Sequence, residues 1–321
     1  SAIEQWLEAH PPVALDETKM FPSEHARYRS SVFDADSFLG CIREVVPVVE
    51  TRMIKLQFAT PPFDDAKLAD VRPYRVLSHL LGHESGGSLH SLLNEEGYIN
   101  SLSSGVGIDT TDFSLCSVTI SLTPKGLKER DRVLALVWQW IDLIKSSVQN
   151  DSDGALMAQY HREMADMAAV NFRYRENGDP CDFCTTAAGM LFTYAPEKLL
   201  AGSSLTGEYD ADITAAFLER FAPENCLVTV WAPEFDDSDD GNNADQKKED
   251  VDVDGHLSSA SSGEWKVEKW YGAKHRSVKI PANLVKEWSH PTDIDARLAL
   301  PKLNEFIPSD FSLRADQEHL S

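Results

Sequence analysis

The chain has 321 residues, of which 42% are hydrophobic and 26% charged, and its 30 basic and 52 acidic side chains give a formal net charge of −22. That apolar fraction suits one large core or two small ones and excludes a chain disordered throughout. The charge repels phosphates and anionic headgroups, which removes nucleic acid and membrane surfaces from the expected partners.

In chain order, the opening Ser-Ala-Ile-Glu has no initiator Met, basic n-region or apolar h-region. No targeting signal is read there, and the start resembles a cut from a longer chain. Arg52–Phe58 alternates apolar and polar residues as a half-buried strand does. Two helical stretches follow, Pro73–His83 and Ser88–Asn94, divided by Glu84-Ser-Gly-Gly87, and then a strand from Tyr98 to Ser103. Cys116–Leu122 alternates again. Thr123-Pro124 supplies an N-cap with proline at the first helical position, opening a long helix toward Ser147. Its apolar run Val133–Ile144 contains Gln139 and Asp142 and falls short of the roughly 20 residues that cross a bilayer, so it reads as a core helix. Asn150-Asp-Ser152 matches a glycosylation acceptor but reads as a turn. A second long helix, Ala155–Arg175, comes next.

Shorter helical pieces lead to Asn225, and Cys226–Trp231 reads as a buried strand. Asp236–Gly263 holds nine acidic residues and two lysines among Ser, Gly and Asn, the composition of a solvated, flexible insertion. It carries only a third of the net charge, so the rest of the chain is itself acidic. Antiparallel strand pairs broken by long helices predict an α+β fold, a mixed, largely antiparallel sheet with helices packed on one face. The five cysteines, odd in number and widely spread, read as reduced thiols of a cytoplasmic compartment. Cys181 and Cys184 form one CxxC, which lacks the second pair needed to close a tetrahedral zinc site.

His79-Leu-Leu-Gly-His83 places two imidazoles at i and i+4, a separation suited to a shared zinc ion. The inverted zinc-peptidase motif His-x-x-Glu-His has this frame, but its general-base glutamate is replaced by Gly82, which has no side chain to activate water. Glu163, on the later long helix, stands about where such a motif takes its third ligand. The plainer reading has the two histidines bonded locally and Glu163 paired with Arg162 or Arg173. A P-loop, a Gly-x-Gly-x-x-Gly after a strand and a Gly-x-Ser-x-Gly elbow are all missing from the sequence.

The run from His79 through Glu84-Ser-Gly-Gly-Ser-Leu-His90 to Tyr98, followed by Asn100-Ser-Leu102, resembles the second domain of metallopeptidases of the insulin-degrading-enzyme type, the insulinase or M16 family. Asn171-Phe-Arg-Tyr174 and Arg220-Phe-Ala-Pro-Glu-Asn225 fit in order behind it. Trp270-Tyr-Gly272, Ile280-Pro281, Trp288, Leu300-Pro-Lys-Leu-Asn-Glu-Phe-Ile-Pro308 and Phe311 resemble that domain's end and the linker that follows. The resemblance implies the fold of mitochondrial-processing-peptidase-type metallopeptidases, with four such domains enclosing a peptide in a chamber. It divides the chain into a trailing connection at 1–25, the second domain at 26–289 with the acidic insertion at 236–263, and the linker start at 290–321. Zinc then belongs to a first domain outside this chain, so no catalytic or metal residue and no cofactor is expected here. The partners implied are peptide substrates and the other domains of the same polypeptide.

In that family the second domain carries an exosite that holds a substrate's N-terminal segment away from the scissile bond. The matching positions are His79, Gly82, His83 and Glu84 together with Leu102, Ser103 and Ser104. An extended peptide adding along Leu102–Ser104, close to Gly82 and with Glu84 facing its ammonium, suits that role. Ser103-Ser104-Gly105 departs from the Val-Gly-Gly-like run common in the family, and its added side chains narrow the groove. Two alternatives stand beside this reading: an autonomous metal-binding hydrolase using His79, His83 and Glu163, and a purely structural or docking domain.

Overall fold

Alternation in Arg52–Phe58 becomes visible as a sheet face in the computed structural model, which describes residues 33, 38–63, 66–110, 112–150, 155–176, 178–236, 263–308 and 310–311. The expected N-terminal connection at 1–25 and all but the two ends of the acidic insertion at 236–263 lie outside these residues. The described elements all belong to the unit Ala35–Ser321.

Strands β1 (Cys41–Val45) and β2 (Met53–Thr60) precede helices α1 (Ala66–Val71), α2 (Pro73–Leu81) and α3 (Leu89–Glu95). The hairpin of β3 (Ile99–Asp109) and β4 (Ser114–Leu122) leads into α4 (Pro124–Lys128), α5 (Arg130–Asn150) and α6 (Ala155–Arg173). Next come α7 (Pro180–Met190), α8 (Ala211–Leu218) and β5 (Cys226–Trp231), then β6 (Lys266–Val267), β7 (Lys274–Lys279) and α9 (Ala282–Ser289). The strands form one sheet in the order β3-β4-β2-β5-β1-β7-β6, in which only β1 and β5 run parallel. The fold is therefore α+β with a mixed, largely antiparallel sheet.

Register explains which face is buried. Ile54 lies opposite Ile120 and Val230, Leu56 opposite Val118 and Val228, and Phe58 opposite Cys116 and Cys226, so three apolar rows cross the sheet on one face. All nine of these side chains are buried. Each large aliphatic or aromatic side chain in such a row contributes about 1.5–3 kcal/mol on leaving water. Intervening positions of β2 such as Lys55 and Gln57 stay half-buried on the opposite face.

Helix α5 closes the apolar face. Trp138 meets Phe58 edge-on at 5.9 Å and stacks on Trp288 of α9 at 5.6 Å. The expected single helix from Pro124 to Ser147 is two helices, because Glu129 (φ −96°, ψ 24°) leaves the helical region. The Thr123 N-cap is present, its side chain accepting the Gly126 N–H at 3.0 Å. The strand expected over Tyr98–Ser103 runs on to Asp109, carried by its register with β4. The helix expected over Ala155–Arg175 ends at Arg173.

One buried ionic cluster ties α5 to the sheet. Glu44 of β1 accepts from Arg276 Nε of β7 and lies 3.6 Å from Arg130 Nη2 at the start of α5. Further along, the segment after α9 is strapped across the helical layer. Asp295 N–H donates to Gln139 Oε1 at 3.0 Å, Ala299 N–H to Gly87 O at 2.9 Å, and Tyr160 Oη to Pro301 O at 2.5 Å.

Candidate functional site

Helix α2 brings the His79–His83 pair to the sheet. Pro73, Val76, Leu77, Leu80 and Leu81 form its buried face. Arg72 and Arg75 hold its N-terminal end by donating to Ser203 O at 2.8 and 2.7 Å. The helix stops at Leu81, since Gly82 (φ −97°, ψ 10°) leaves the helical region while its N–H still bonds Ser78 O at 3.0 Å. Trp140 Nε1 donates to Leu80 O at 3.1 Å and satisfies one carbonyl of this last turn. His83 is thus outside the helix, two residues beyond its end.

A Cβ on Gly82 would lie 3.2 Å from Ser78 O and 3.5 Å from Ser104 N. The tighter of these contacts is with the carbonyl of α2's own last turn, and the Ser104 backbone of β3 lies at ordinary van der Waals distance. Gly87 (φ +88°) turns the chain toward α3, and a Cβ there would meet Ala299 at 3.3 Å.

The two imidazoles stand edge to face, with ring centroids 5.0 Å apart and an interplanar angle of 87°. Burial lowers the pKa of both, and the His83 charge lowers that of His79 further; for His83, Glu163 and Glu84 oppose the shift. His83 Nδ1 accepts the Ser85 N–H at 3.2 Å, so its proton is on Nε2 in the neutral ring. Glu163 is occupied as well, accepting Asn304 N–H at 2.5 Å. That bond replaces the expected pairing with Arg162 or Arg173.

His79, His83 and Glu163 do line one cavity of about 510 Å³, with Tyr160, Met164, Met167 and residues 301–306. Among the described residues, however, no group of three or more His, Cys, Asp or Glu side chains is placed to hold a metal ion. With Gly82 in the general-base position, the frame has no side chain there to activate water.

All seven residues singled out from the sequence come together. His79, Gly82, His83, Glu84, Leu102, Ser103 and Ser104 line a second, open cavity of about 540 Å³, joined by Ser78 and Ser85. Leu102 packs its side chain in the core, Ser103 and Glu84 are exposed, and Ser104 is half-buried. Strand β3 ends the sheet, so among the described residues it has a strand partner, β4, on one side alone. Such an edge offers unpaired N–H and C=O groups to an extended chain. Sequence reasoning missed Tyr160, Met164 and Met167, although with Glu163 they recur at helical spacing on one face of α6.

A mixed, largely antiparallel sheet with a degenerate zinc-peptidase histidine frame beside its edge strand marks a peptidase-like α+β domain. Residues 26–152 match the family model described as the peptidase M16 inactive domain, and residues 172–321 match that of the middle or third domain of peptidase M16. The chain belongs to the M16 peptidase family, matching its inactive-domain model and then its middle- or third-domain model. It is 27% identical over 280 residues to a nardilysin-like protein of Arabidopsis thaliana, covering 86% of this chain and 24% of that protein. It is 26% identical over 278 residues to the insulin-degrading enzyme of Homo sapiens, covering 87% and 24%. The crystal structure of pitrilysin shares the fold with a TM-score of 0.67 at 23% identity, over 86% of this chain and 26% of that one. The chain spans about a quarter of the length of these relatives. Among the described residues no helix is long and apolar enough to cross a membrane.

Proposed function

We propose that this chain is the substrate-anchoring, non-catalytic part of a larger insulinase-type peptidase, whose zinc and general base lie in segments outside it. An extended peptide adds as a strand to the free edge of β3 at Leu102–Ser104, and Glu84 faces its terminal ammonium. The observation that carries this reading is the single cavity that joins that edge to the end of α2 and to Glu84. Main-chain bonds give affinity with little sequence preference. Anchoring a flexible peptide at a distance lowers the entropic cost of presenting another bond for cleavage. The net charge of −22 favours basic peptides through steering that added salt weakens. With its free cysteines, the chain fits a reducing, cytoplasmic setting.

The test is fluorescence anisotropy with a labelled basic peptide, its N-terminally acetylated form, and a series N-methylated at successive backbone nitrogens. N-methylation weakens binding about fivefold at alternate positions only, one hydrogen bond at a time. Glu84→Gln lowers affinity for the free-amine peptide to that of the acetylated one and leaves the acetylated one unchanged. Equal effects at every nitrogen, or no binding at all, would leave the structural or docking role in its place.

A further inference from the structure

The anchoring site has a second compartment, and its chemistry specifies what the anchored segment carries; this step rests on the peptide-anchoring reading above. We infer that the cavity bounded by α6 and residues 301–306 receives a bulky apolar side chain from one of the first three residues of the bound peptide.

Continuity comes first. His79 and His83 line both cavities, so the groove along β3 and the space beside α6 adjoin at these two rings. At about 510 Å³ that space falls within the range of small-ligand pockets.

Its walls favour an apolar guest. Met164 and Met167 stand one helical turn apart on α6, facing Leu303 and Phe306 across the cavity. Phe306 is 92% exposed and Met167 39% exposed, a large aromatic ring and a flexible thioether left uncovered at one mouth. Methionine adapts to guests of different shape, which suits a site that must accept many peptides. Two of its polar groups are already engaged: Tyr160 Oη donates to Pro301 O and Glu163 accepts from Asn304 N–H. Burial keeps the two imidazoles neutral near pH 7, so they offer ring surface rather than charge. An acidic side chain is disfavoured, because Glu84, Glu163 and Glu305 outnumber Lys302 around the two cavities.

The experiment measures binding of the chain to basic peptides that carry Leu, Gly or Asp at each of the first three positions in turn. Leu binds about tenfold tighter than Gly at one of the positions, the gain expected from burying one aliphatic side chain, and Asp binds weakest there. Met167→Asp and Phe306→Ser, both at exposed positions that spare folding, bring the Leu peptide down to the level of the Gly peptide. Equal binding of Leu and Gly at all three positions, with Glu84→Gln still distinguishing free from acetylated termini, overturns the apolar pocket and leaves the anchoring site standing. Failure of every peptide to bind overturns both.

Discussion

Replacing Gly126 with alanine sets two effects of opposite sign against each other. Gly126 lies inside α4, where alanine normally stabilises a helix by about 1 kcal/mol over glycine. Here an added Cβ would fall on the Tyr98 carbonyl group, 2.7 Å from its carbon and 3.0 Å from the Tyr98 Cα. Carbon atoms pack at about 3.5–4.0 Å, so one backbone must retreat by nearly an ångström. Neither is free to do so. Tyr98 O accepts the Thr123 N–H at 2.9 Å, the Thr123 hydroxyl donates to Gly97 O at 2.7 Å, and the same hydroxyl caps Gly126 N–H at 3.0 Å.

Overpacking of this kind costs about 1–3 kcal/mol, and loss of one of those bonds about 1 kcal/mol more. Net of the propensity gain, Gly126→Ala destabilises by about 1–3 kcal/mol, a fall of roughly 2–5 °C in melting temperature for a domain of this size. Urea unfolding followed by tryptophan fluorescence reads the change, since Trp138 and Trp140 are buried. A midpoint that stays level or rises would show that α4 moves freely and that the contact does not constrain the start of β3.

Glu44→Ala removes the acidic partner from a buried cluster and leaves Arg130 and Arg276 facing each other, so stability falls by about 3–5 kcal/mol in the same urea assay. Added salt does not restore it, as it would for an exposed pair. Stability also falls on acidification through the two histidines. Their folded pKa values lie below the ordinary 6.5, so the unfolded chain takes up protons first. Their contribution is complete above that value and is lost as pH drops from 6.5 through the folded values. Melting curves between about pH 7.5 and 5.5 show the loss, and it is smaller in the His79→Gln, His83→Gln variant.

Legibility followed burial. The alternation of β2 is plain in sequence because the strand is apolar on one face only, and the Thr123-Pro124 cap is plain because two local signals coincide. β7, Lys274–Lys279, has the composition of a loop, and its place in the sheet comes from pairing with β1 rather than from its own side chains. The last six residues of β3 hide for a similar reason: they are exposed or half-buried and include two glycines, and only the register with β4 extends them. At the site, the i, i+4 spacing correctly joined His79 and His83. It could not show that Gly82 ends the helix between them, which turns the rings edge to face. The wall formed by residues 301–306 lies some 140 residues from α6, a distance no local pattern spans.

The position of β1 sets a timetable for synthesis. This strand emerges early, yet both of its neighbours in the sheet, β5 and β7, are encoded about 180 and 230 residues later. At roughly 5–20 residues per second, β1 waits about 10–40 s before its first partner is made. During that interval Cys41 and Ile42 have no sheet to enter, while β2, β3 and β4 already form a ladder of their own. The two family-model segments thus depend on each other. A ribosome that stalls between them leaves the exposed edge of β2 and an orphaned strand, the kind of nascent surface that chaperones capture.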